Sequence, residues 1–162
     1  MKRDFVFIPS WEEYGQRKVS KPFVPTKSQH QKRLNVAGWV DPLSGNHGII
    51  QNEKGNTDGF INTLRHILYR FKGTIIEIWV DNARWHKGKK VDDFLGEHKN
   101  VNVLFIPKYY PELNKQEYVW RWMRYEETTN TYYESFEELK IAVLKRSQRW
   151  KPKKILSLSH LN

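Results

Sequence analysis

Two carboxylates in this chain stand where a divalent metal could be held. Asp81 closes the apolar run TIIEIWV, residues 74–80, and Asn82, Trp85 and His86 follow it closely. Glu117 comes 36 residues later, inside a stretch that reads as a helix following one more strand. A helix packed across the sheet would carry Glu117 over the strand end that holds Asp81. Carboxylates converging from separate segments make an oxygen-rich site suited to magnesium or manganese. Two such ions about 3.5–4 Å apart can activate water and stabilise the leaving oxygen in phosphodiester cleavage. The competing reading is ordinary: Asp81 caps a helix and Glu117 is solvated. Spacing alone does not separate the two.

The elements around these residues decide whether they can meet. FVFI, residues 5–8, reads as a short buried strand ended by Pro9. Residues 9–33, rich in Lys, Pro, Ser and Gln, read as a long basic loop. LNVAGWVD (34–41) is a strand, residues 42–45 a turn by residue type, and HGIIQ (47–51) a strand returning antiparallel. Asn56 or Thr57 can cap a helix with Asp58 in its first turn. Phe60, Ile61, Leu64, Ile67, Leu68 and Phe71 follow at helical spacing before Gly73. After the strand 74–80 come a short amphipathic helix over 88–98, with Val91, Phe94 and Leu95 inward, and a strand over 101–106 closed by Pro107. Helices are then expected over 113–127, where Tyr118, Trp122 and Tyr125 share a face, over 134–149 and over 151–161. A hairpin followed by alternating helices and strands predicts an α/β fold, with a mixed β-sheet flanked by helices. Functional groups gather at the carboxyl ends of strands in such sheets, and Asp81 sits at such an end.

Composition narrows the partners. The 162 residues suit one domain with a real core. Hydrophobic residues at 38% and aromatics at 14% argue against disorder. A net charge of +10 favours a polyanionic partner, with a solvated basic surface as the plainer account. The absence of cysteine excludes disulfides and thiolate zinc sites. No stretch approaches the ~20 apolar residues of a membrane span, and no signal peptide precedes the first strand, so an intracellular, cytoplasmic or nucleoid-associated protein is expected.

Several stretches resemble one family. PKYYPELNKQEYVW, residues 107–120, resembles the third catalytic motif of the DDE superfamily transposases, in their mariner-type insertion-sequence branch: a Pro-rich loop ending in Leu113-Asn114, then a helix carrying Glu117 with Trp120 three positions on. IWVDNARWHKG, residues 78–88, resembles the second motif, with Asp81, Asn82, Ala83 and His86 in place. LNVAGWVDPLSG, residues 34–45, resembles the hairpin strand and turn. The match is collinear from about Phe5 to the helix after residue 134. It implies an RNase H-like fold, the catalytic domain of a DNA transposase, and strand cleavage and transfer dependent on Mg2+ or Mn2+. Asp81 and Glu117 would be catalytic metal ligands, with Asn82, His86 and Asn114 beside the site. Transposon ends and target DNA would be the partners, and a homodimer would follow from the need to cut two ends. Beside these roles stand plainer ones: a turn residue for Asn82, a surface hydrogen bond for His86, core packing for Trp120 and Trp122. Lys87, Lys89 and Lys90 could pair with phosphates or simply form a solvated helix face.

The pattern breaks at the first acid. The family carries Asp-Glu, two residues, then Phe on its first, central strand. With Phe5 as that Phe, the acid falls on Met1, with Lys2 next to it. The strand before it and the helix-turn-helix region are missing from this sequence. The chain is thus expected to be an N-terminally truncated fragment lacking the usual first central strand. Asp4 is the nearby substitute, but it stands three residues late, and an odd slip turns a side chain to the opposite face. It could serve as a metal ligand only if residues 2–8 moved into the vacant central slot, whose unpaired backbone rows would favour the move. Glu12 and Glu13, on the loop, are weaker candidates. Three readings follow: a working transposase domain, an inactive remnant that only binds DNA, and another RNase H-like nuclease with Asp4 as a native ligand.

The basic loop carries the first prediction. Reversing charge at Lys18, Lys21, Lys27, Lys32 and Arg33 is expected to weaken DNA binding and flatten its salt dependence. A titration over several salt concentrations checks this; an unchanged slope would remove the loop from the DNA surface.

Overall fold

A computed structural model describes residues 3–8 and 12–14 through their backbone pairing, and residues 34–108, 110, 113–128 and 131–159. Six strands, β1 (Arg3–Ile8), β2 (Glu12–Tyr14), β3 (Leu34–Val40), β4 (His47–Asn52), β5 (Ile75–Val80) and β6 (Val101–Phe105), form one mixed sheet. β3 is flanked by β4 on one edge and by β2 and β1 on the other, all antiparallel to it. β1 then pairs in parallel with β5, and β5 in parallel with β6. The central slot is therefore filled, against the expectation of a missing central strand. The short FVFI run takes it because a strand there pairs on both edges, where a gap would strand two rows of polar backbone. The loop expected over 9–33 is also corrected in part. Residues Glu12–Tyr14 form β2 along Leu34–Val36, covering an edge that β1 does not reach.

Local chemistry sets the ends of the elements. In the β3–β4 turn, Leu43 N donates to Asp41 Oδ1 at 2.9 Å, Ser44 donates its hydroxyl to the same carboxylate, and Gly45 takes a positive φ of 75°. Asn56, rather than Thr57, caps α1 (Thr57–Arg70), accepting from Gly59 N at 3.0 Å. Ser135 caps α4 (Phe136–Arg149) in the same way, accepting from Glu138 N at 3.2 Å.

The sheet separates two cores. On one face Ile76, Ile78 and Val80 meet Phe60, Leu64 and Ile67 of α1 and Val91 and Phe94 of α2 (Lys89–Glu97). On the other, Leu34, Val36 and Val40 meet Val119, Trp120 and Met123 of α3 (Lys115–Met123), Val143 of α4 and Ile155 of α5 (Pro152–Ser159). Trp120 is fully buried, so its role is packing.

The helix expected over 113–127 is regular only to Met123; a wider turn, Arg124–Thr128, continues it. That turn sets two consecutive acids against the α4 region, where both lie within ion-pair range of Arg146. Glu126 accepts from Trp150 Nε1 at 2.8 Å, while the buried Glu127 accepts from Tyr133 at 2.9 Å and pairs with Arg146. Among the described residues no helix is long and apolar enough to cross a membrane.

α3 reaches β3 at Gly38, where a Cβ would stand 2.6 Å from Gln116 Nε2 and 2.8 Å from the Trp120 ring. Both side chains are fully buried, so neither can swing away. Gly38→Ala should therefore destabilise by about 1–3 kcal/mol, outweighing the ~0.4–1 kcal/mol gained by stiffening the unfolded chain. A lower urea midpoint at unchanged slope checks this.

Candidate active site

Asp81 is the first residue after β5, at the carboxyl end of the parallel strands. The corner it occupies is pinned twice. Ile106 N donates to Val80 O at 2.8 Å, continuing the ladder one step past β6. Asn82 Nδ2 then donates to Ile106 O at 2.8 Å, tying the two strand ends by a side chain. Asp81 does not cap α2, whose first residue follows Gly88. Instead Ala83 N donates to Asp81 Oδ1 at 3.0 Å, an Asx-type turn. Buried His86 brings Nδ1 to 3.1 Å from the same oxygen and to 3.2 Å from the Asp81 carbonyl. Phe60 backs its ring at a centroid distance of 4.4 Å. The surface role weighed for His86 is thus replaced by an interior one. Asp81 itself remains 30% exposed, enough to meet a ligand.

α3 delivers Glu117 to the same place. Asp81, Asn82, Asn114 and Glu117 line one cleft of about 580 Å3. Burial raises the Glu117 pKa above its ordinary value of 4.5, Arg124 opposes that, the charge of Asp81 adds to it, and Arg121 opposes. The like-charge repulsion is the electrical signature of two carboxylates sharing a site. Asn114 precedes α3 without capping it by its side chain, and its buried Oδ1 has no partner among the described residues. Two half-buried carboxylates and an unsatisfied amide oxygen suit one hard cation. Among the described residues no group of three or more His, Cys, Asp or Glu side chains gathers for a metal.

Asp4 is not brought to this cleft. It pairs with Ile76, whereas the β1 residue level with the carboxyl end of β5 is Ile8, opposite Val80. Four residue rises, ~13 Å, separate the two levels. The strand did move into the central slot, but in a register that leaves Asp4 at the wrong end. Glu12 and Glu13 pair with Val36 and Asn35 on β3.

The basic candidates are divided. Lys87 donates to Asn82 Oδ1 at 2.8 Å and lies 4.5 Å over the Phe105 ring. Lys90 pairs with Asp58, and Lys89 is exposed. Lys18, Lys21, Lys27, Lys32 and Arg33 lie outside the described residues. Sequence reasoning missed Arg121 and Arg124, which act on Glu117 from four and seven positions along its own helix face. That spacing was the available signal.

A family model described as DDE superfamily endonuclease matches residues 6–140. No curated protein matches the chain. Among solved structures, the Mos1 transposase paired-end complex with left transposon end is 19% identical at a TM-score of 0.68, over 97% of this chain and 51% of that one. The Mos1 mariner paired-end complex with Mn is 18% identical at 0.67, over 97% and 52%. The catalytic domain of Mos1 mariner transposase is 18% identical at 0.63, over 95% and 75%. The chain thus spans about half the length of the longer Mos1 chains. The RNase H-like fold expected from sequence is the fold observed.

Glu117 yields a pH prediction. Its folded pKa lies above the unfolded value, so the folded state holds the proton more tightly, and stability falls as pH rises through that window. Without metal, Glu117→Gln should therefore be more stable than the parent at neutral pH. The difference should vanish below about pH 4.5, where the carboxyl is protonated in both states. Thermal unfolding at several pH values in a chelator checks the sign.

Proposed function

Because the chain belongs to the DDE superfamily endonucleases, we propose that its cleft cleaves and transfers DNA strands with a divalent metal, as the catalytic domain of a transposase. The observation that carries the reading is the convergence of Asp81 and Glu117 on one cleft at the carboxyl ends of β5 and β6. These carboxylates would hold magnesium or manganese, with Asn114 Oδ1 as a neutral donor beside them. Once bound, the metal would activate the attacking oxygen and stabilise the leaving one. His86 and the Ala83 amide fix the Asp81 carboxylate, so its orientation is set before metal arrives. Arg121 and Lys108, also on the cleft wall, would pair with phosphate oxygens. Hydrolysis at the element's end frees a 3′-hydroxyl, which attacks a phosphodiester of target DNA and displaces its 3′-oxygen. Transposon ends, target DNA and a second copy of the chain are the partners this reading requires, within the cytoplasm or nucleoid.

A second reading, DNA binding without cleavage, is favoured by the register of β1. Level with the catalytic end stands Ile8, and the next residues in sequence are Pro9 and Ser10, neither a carboxylate.

Nicking of supercoiled plasmid in manganese separates the two. The cleavage reading expects nicking by the parent, and a loss of at least about a hundredfold in Asp81→Ala and Glu117→Gln, on the order expected for removing a group that stabilises transition-state charge. Manganese should also raise the melting temperature of the parent and not of Asp81→Ala. A parent that binds DNA with neither nicking nor a manganese shift would establish the second reading.

A further inference from the structure

Beside the cleft, sharing its wall, lies a groove the proposed reaction does not use. Tyr118 and Arg121 line both depressions; Trp122, Tyr125 and Leu158 complete the second. The Trp122 and Tyr125 rings stack with centroids 5.5 Å apart and planes 30° from parallel. Tyr125 nonetheless leaves 67% of its surface in water. Cations flank Trp122 and the neighbouring Tyr118. Lys154 Nζ stands 3.5 Å over Trp122, and Arg121 and Lys115 lie 5.7 Å and 5.5 Å from the Tyr118 ring centre. Among the described residues no acidic side chain lines the groove.

An exposed ring stacked on a half-buried one, among positive charges, fits a polymer that offers both π-faces and phosphates. A single nucleic-acid strand does so, whereas a duplex hides its base faces in its own stack. The charge complementarity extends to the whole chain, at +10. We propose that the groove stacks an unpaired base of a single DNA strand against Tyr125, while the strand's backbone passes Arg121 into the cleft. The inference deepens the DNA reading of that cleft and rests on it.

The test uses the full chain in a chelator, so that cleavage cannot contribute. Binding of a short labelled single strand is compared with that of its abasic counterpart and of a duplex of equal length. Tyr125→Ala is expected to weaken single-strand binding on the order of tenfold, and Tyr125→Phe to preserve it. The parent should bind the abasic strand about as weakly as Tyr125→Ala binds the normal one. Lys154→Glu should weaken binding and lower the salt slope. Parent-like binding by Tyr125→Ala, or an equal Tyr125 effect on the abasic strand or the duplex, overturns the proposal. Cleavage is read apart, in manganese: nicking without a Tyr125 effect on single strands sinks the groove and spares the cleft, and the reverse spares the groove.

Discussion

The closure of β5 against β6 at their carboxyl ends is the constraint on which the site depends. Two hydrogen bonds make it: the Ile106 amide to the Val80 carbonyl, and the Asn82 side chain to the Ile106 carbonyl. The second ties the backbone just past Asp81 to the end of β6. On that fixed corner the bonds from Ala83 and His86 orient the Asp81 carboxylate. A buried imidazole backed by Phe60 links that corner to the core under α1, so packing stability and site geometry are not independent.

Glu117 is placed by a different device at some distance from it. α3 is held near its middle by the close approach to Gly38 and at its far end by the Glu126 and Glu127 contacts with the α4 region. Glu127 is buried, and its neighbours compensate that cost: Arg146 supplies charge, and Tyr133 a hydroxyl whose pKa is pushed up by burial and by the bond to Glu127. Removing either partner would leave a buried charge underpaired at the end of the helix whose other end carries Glu117. The site is therefore stiff at Asp81 through local bonds, and stiff at Glu117 through contacts with the rest of the fold.

Much of this was legible in the sequence because it follows from residue type and period. The hairpin turn at Asp41–Gly45, the Asn56 cap and the core faces of α1 and α2 depend on local chemistry alone. The pairing of Asp81 with Glu117 was legible through motif order, which fixes the elements that carry them. What escaped was set by long-range pairing. Which strand fills the centre, and in which register, depends on the total of backbone bonds across three strands, not on the FVFI run itself; hence Asp4 sits beside Ile76. The wide turn after Met123 escaped because helical periodicity continues through it, and only Trp150, Tyr133 and Arg146 reveal why the backbone opens there. The interior packing of His86 escaped because one sequence cannot reveal that Phe60, 26 positions earlier, lies over its ring.

The shared wall of the two depressions carries a thermodynamic consequence. Arg121 borders both, and its charge opposes the forces that raise the proton affinity of Glu117. An anionic occupant of the groove that pairs with the guanidinium removes part of that opposition and strengthens the hold of Glu117 on its proton, and a protonated Glu117 strengthens the hold of the groove on that occupant. Linkage makes the two effects equal in free energy. One shared charge on the wall thus couples the proton of one depression to the anion of the other.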